Sequence, residues 1–108
     1  MSRTLRILER ARADVDAIFN WIAPLSVRGS ISWYLAFRRA IDKIGESPES
    51  FAEAAESHRL ARPLREALFK TRRGRTYRIV FEVSESAIFI LRVRGRGQAP
   101  LRRRDLPE

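Results

Sequence analysis

The side chains able to do chemistry in this sequence are nearly all arginine. Lys70, Arg72 and Arg73 close one apolar segment, Arg75 and Arg78 open the next, Arg92, Arg94 and Arg96 end a third, and Arg102-Arg103-Arg104 follow. If these segments are strands of an antiparallel meander, the end of the first and the start of the second meet at a turn, and the end of the third lies beside them. Cations from separate stretches then gather at one end of a sheet. A guanidinium stays protonated near neutral pH, so it can clamp phosphate or carboxylate oxygens and stabilise developing negative charge, but it is a poor proton acceptor. The plainer reading is a solvated basic rim, and convergence from separate segments favours binding over it.

Other chemistries find little support. His58 is the single histidine and there is no cysteine, which excludes thiolate metal sites, disulfides and thiol nucleophiles and leaves His58 without a companion ligand. Asp14 and Asp16 diverge by about 200° on a helix and cannot work as a carboxylate pair. Gly95-Arg96-Gly97 precedes Gln98-Ala99-Pro100 rather than a helix, so it is a weak phosphate cradle. No metal and no cofactor are expected. The net charge of +9, from 22 Lys and Arg against 13 Asp and Glu, points to a polyanion or an acidic protein as partner. From 59 to 104 the acids are Glu66, Glu82 and Glu85 alone. No run of eighteen apolar residues and no apolar leader segment is present, which suggests a cytoplasmic location without membrane contact.

The elements that must position these cations read as an α+β fold. At 108 residues, 44% hydrophobic, the chain suits a single domain, 1–108, in which 98–108 are expected to form a flexible basic tail. Thr4 to Leu8 reads as a short N-terminal strand. Ala11, Val15, Ile18, Ile22 and Leu25 recur at helical spacing until Pro24. Ser26 can cap a second helix, with Val27, Ile31, Tyr34, Phe37, Ile41 and Ile44 as its apolar face before Gly45 and Pro48. The short link makes the two helices an antiparallel hairpin. Residues 48–63 read as a connection with at most a helical turn. A three-stranded antiparallel meander follows: 64–71, then a strand with Tyr77, Ile79, Phe81 and Val83 on one face, then a strand with Ala87, Phe89, Leu91 and Val93 on one side and Ile88, Ile90, Arg92 and Arg94 on the other. Trp21 and Trp33 fall on the flanks of the helical stripes, where an indole closes the core or anchors an interface.

The stretches ARADVDAIFNWIA, AIDKIGESP, PLREALFKTRRGRTYRIVFEV and AIFILRVRG, in this order, resemble the RelE/ParE superfamily of toxins from bacterial type II toxin–antitoxin systems, also called plasmid stabilisation proteins. The resemblance spans nearly the whole chain. It implies a growth-inhibiting toxin neutralised by a cognate antitoxin, in a toxin–antitoxin hetero-oligomer, and one of two targets. RelE-like members are mRNA interferases that cleave messenger RNA on the ribosome, whereas ParE-like members poison DNA gyrase. For an interferase, Lys70, Arg72, Arg78 and Arg96 correspond to the catalytic positions. Trp21, Trp33, Arg65, Arg73, Arg92 and Arg94 are the candidates for contact with target or antitoxin. After Tyr77 the chain has no tyrosine or histidine, the group that RelE-type sites add in this region. Attack by an RNA 2′-hydroxyl needs a proton acceptor, so the ParE-like reading with gyrase as target is preferred, ahead of an interferase and of a non-toxic basic nucleic-acid-binding module.

Overall fold

A computed structural model describes residues 3–95 and 97–107. The chain runs β1 (Thr4–Ile7), α1 (Glu9–Ile22), α2 (Val27–Glu46), a 3-10 turn (Pro48–Ser50), α3 (Ala55–Leu60), β2 (Leu64–Phe69), β3 (Tyr77–Val83) and β4 (Ala87–Gly95), with a last 3-10 turn at Arg103–Asp105. The expected α+β class, helix hairpin and antiparallel meander are present, with α3 added. The sheet order is β1-β4-β3-β2, and β1 lies parallel to β4. Among the described residues no helix is long and apolar enough to cross a membrane.

Local chemistry explains the boundaries. Ser26 caps α2, its hydroxyl accepting from the Gly29 N–H at 2.8 Å. At the β2–β3 turn Gly74 donates to the Thr71 carbonyl at 3.2 Å, and a side chain there would collide with the Thr71 hydroxyl.

The two sheet faces bury separate clusters. One face packs Ile79, Phe81, Ile88, Ile90 and Val93 against Ala11 and Val15 of α1 and against Trp33, Phe37, Ile41 and Ile44 of α2. The other buries Val80 and Leu91 with Ala54, Leu60, Leu64, Leu101 and Leu106.

Three expectations need correction. The buried face of α2 departs from the expected one in its first half: Ser30, Trp33, Ala36 and Ala40 face inward beside the expected Phe37, Ile41 and Ile44, whereas Val27, Ile31 and Tyr34 are exposed. The small side chains let α2 approach the sheet closely on that side. In β4 a bulge opposite Val80 and Phe81 resets the alternation, so that Arg92 and Arg94 share the face of Leu91 rather than that of Ile88 and Ile90. The expected flexible tail is folded down through residue 107, because Leu101 and Leu106 complete the second cluster.

Candidate functional site

The register of β3 and β4 places Arg78 opposite Arg94, with Arg92 opposite Val80. All three lie on the sheet face covered by α3 and residues 97–107. Beside them is a cavity of about 650 Å³, lined by Glu56, Arg59, Glu66, Tyr77, Arg78 and Arg94 among others. The expected gathering of guanidinium groups is therefore partly real. Each of these three, however, faces a carboxylate.

Arg78 holds Glu56 with both terminal nitrogens, Nη1 to Oε1 at 2.9 Å and Nη2 to Oε2, and reaches Glu66 Oε1 at 3.1 Å. Glu56 is 2% exposed and also accepts the Leu101 N–H at 2.9 Å. Burial alone would push its carboxyl up, but the hydrogen bonds from Arg78, the Leu101 amide and its own backbone outweigh that and hold it at about 2. Those same carboxylate bonds raise Arg78 further above its ordinary value, against the opposing effect of burial. Arg92 repeats the pattern: Nε and Nη2 donate to Asp14 at 2.8 and 2.9 Å, and Nη1 donates to the Asp105 carbonyl at 3.0 Å. Asp14 also takes the Val93 N–H at 2.9 Å. Arg94 lies 3.5 Å from Asp105, and its buried Nε has no partner among the described residues. Asp105 is held below the usual carboxylate range, first by the Arg102 backbone N–H and then by Arg94 and Arg92.

The remaining candidates fall into different places. Lys70, Arg72 and Arg73 are exposed around the β2–β3 turn together with Arg75, and among the described residues none makes an ion pair. Arg65 is spent on the Phe51 carbonyl at 2.6 Å. Arg96 lies outside the described residues. Trp33 is corrected: at 2% exposure it is a core residue, stacked on Phe37 at 6.0 Å and packed on Phe69 and Tyr77, so no partner can reach it. Trp21 is 61% exposed and stands with Leu25, Val27, Ile31, Tyr34 and Leu35 as exposed apolar side chains of the helix hairpin. His58 is exposed on α3.

Sequence reasoning missed Glu56, Asp105 and the pairing role of Asp14. Glu56 lies in the segment with least periodicity, and its partner is 22 residues away, so no local spacing marks it. Asp14 and Arg92 are 78 residues apart. The one available signal was the scarcity of acids from 59 to 104, which leaves a buried arginine of that stretch to find a carboxylate elsewhere in the chain.

The chain resembles known proteins at two levels. The sequence model of the family described as "ParE toxin of type II toxin-antitoxin system, parDE" matches residues 5–100. Among solved structures, that of the toxin–antitoxin complex RelBE2 from Mycobacterium tuberculosis aligns at 20% identity over 89% of this chain and 100% of that one, with a TM-score of 0.45. No curated protein matches.

Proposed function

Because the chain belongs to the ParE toxin family of type II toxin–antitoxin systems, we propose that it inhibits growth by binding a macromolecular target, DNA gyrase, and that a cognate antitoxin neutralises it. The commitment of Arg78 carries this reading. In an interferase this arginine would be free to stabilise charge on a scissile phosphate, yet here its donors are spent on Glu56 and Glu66. Lys70, Arg72, Arg73 and Arg75, which make no ion pair among the described residues, ring a turn whose neighbouring titratable side chain is Tyr77, itself stacked on Phe69 at 5.7 Å. A proton acceptor for 2′-hydroxyl attack is missing from that group. Exposed cations without a base suit contact with an acidic protein surface or a nucleic-acid backbone.

The exposed apolar side chains around Trp21 and Leu25 suit an amphipathic antitoxin segment, since an apolar patch rimmed by polar groups marks a protein interface.

The test is induced expression from a tightly controlled promoter, with scoring of gyrase–DNA cleavage complexes and mapping of transcript ends in the same cells. Growth arrest with trapped gyrase and intact transcripts is expected. Codon-linked cuts in translated messages would establish the interferase instead, and unaffected growth with folded protein would leave a basic nucleic-acid-binding module.

A further inference from the structure

We propose that a second copy of this chain docks against the edge of β1 and the groove between β1 and α2, forming a two-fold dimer. This contact lies at the opposite end of the sheet order from β2 and involves neither the arginine face nor the apolar patch at Trp21. The inference stands whether or not gyrase is the target.

The backbone of β1 fits a copy of itself. The Thr4 N–H donates to the Ser86 carbonyl and the Leu8 N–H to the Ile90 carbonyl, both at 3.0 Å, so Thr4, Arg6 and Leu8 aim their backbone groups at β4. Successive residues of a strand aim these groups to opposite sides, which turns those of Leu5 and Ile7 outward. Arg12 Nε covers the Ile7 carbonyl at 3.1 Å. The Ile7 N–H and both groups of Leu5 have no partner among the described residues. Two copies related by a two-fold axis beside Leu5 run antiparallel, and each Leu5 N–H then meets the Leu5 carbonyl of the other copy. An open edge of this kind is a template for pairing.

Charge makes the same choice. The groove holds about 940 Å³, and Leu5, Ile7 and Ile41 give it an apolar lining. Around them stand the exposed side chains of Arg6, Arg12 and Arg38 and of Glu9, Asp42 and Glu46. None of these six makes an ion pair among the described residues, whereas six acids elsewhere are held by arginines. Three cations against three acids leave this patch neutral in a chain of +9. A second copy supplies both signs in equal number, as a self-complementary contact requires; a partner of one sign would set half of these groups against their like. The positive charge elsewhere is screened beyond about 8 Å at physiological ionic strength. Gly45 keeps the groove open, since a Cβ there would meet Leu5 at an ordinary 3.8 Å.

The experiment is sedimentation equilibrium of the whole protein from micromolar to millimolar concentration, with amide exchange of the isotope-labelled chain. A monomer–dimer equilibrium is expected, in which the Leu5 amide exchanges fast in dilute protein and is protected in the dimer. Two double variants separate the contact from the fold. Arg6→Glu with Arg38→Glu makes the patch acidic, and Asp42→Lys with Glu46→Lys makes it basic; all four side chains are exposed, so Tm should hold. Each double variant alone should self-associate more weakly by over about tenfold, and their equimolar mixture should recover the wild-type association. Gly45→Gln, which the fold accommodates, should also weaken the dimer by filling the groove. Wild-type protein that stays monomeric throughout, a dimer whose Leu5 amide exchanges as fast as in the monomer, or a mixture no better than its components would overturn the proposal. So would protection of Leu5 only when antitoxin is added, which would give this edge to that partner.

Discussion

Replacing Glu56 with glutamine removes one charge from the most deeply buried carboxylate and leaves its shape. Its carboxyl sits at about 2 in the folded chain against an ordinary 4.5. At 1.36 kcal/mol per pKa unit, that difference corresponds to about 3 kcal/mol of folding stability. Because the folded value lies below the unfolded one, this stabilisation is complete above about pH 5 and is lost as pH falls towards about 2. Arg78 keeps Glu66 at 3.1 Å, so the variant should lose somewhat less, about 2 to 3 kcal/mol at neutral pH. For a domain of this size that lowers Tm by roughly 10 to 20 °C. Glu56 also accepts the Leu101 N–H, so the variant should speed amide exchange at Leu101 before other core positions. Denaturant titrations from pH 7 down to 2 supply the measurement. The wild type should lose stability steeply on the acid side and Glu56→Gln should show a shallower fall, with Asp105 and Glu49 supplying the remainder. A variant within about 0.5 kcal/mol of wild type, with an unchanged acid slope, would refute the claim that this carboxylate braces the arginine face.

Trp33→Ala should cost about 3 to 5 kcal/mol by urea titration, whereas Trp21→Ala should stay within about 0.5 kcal/mol and instead weaken capture of the cognate antitoxin. Leu101→Ala, fully buried in the second cluster, should destabilise by about 2 to 5 kcal/mol; a freely moving tail would show no change on the same titration. Charge reversal at Arg72 and Arg73 together should leave Tm within a few degrees while weakening target binding and flattening its salt dependence, measured by titration at several ionic strengths.

How far the sequence reveals this molecule depends on the range of the physics involved. The helix hairpin and β3 are legible because their apolar periodicity is local and Ser26, Pro24 and Gly74 punctuate it. The buried side of α2 is not, since apolar residues surround its first half and only packing against the sheet chooses Trp33 over Ile31 and Tyr34. The bulge at Leu91 leaves no mark in a strand whose two faces are both apolar, and it decides which face carries Arg92. In the site, the gathering of Arg78, Arg92 and Arg94 at one end of the sheet follows from strand order, which the sequence permits one to infer, whereas their sharing one face follows from the bulge. Their neutralisation by Glu56, Asp14 and Asp105 depends on contacts across the fold that no spacing encodes. The fate of the C-terminal segment turned on two leucines, Leu101 and Leu106, set among arginines whose charge suggested solvent.

The most direct test of the account is a reconstituted assay with purified protein, presenting supercoiled DNA with gyrase on one side and programmed ribosomes on the other. The account predicts accumulation of gyrase-linked broken DNA that scales with added protein and disappears with antitoxin, while ribosome-bound messages stay whole. Cleaved messages together with unaffected gyrase would contradict it.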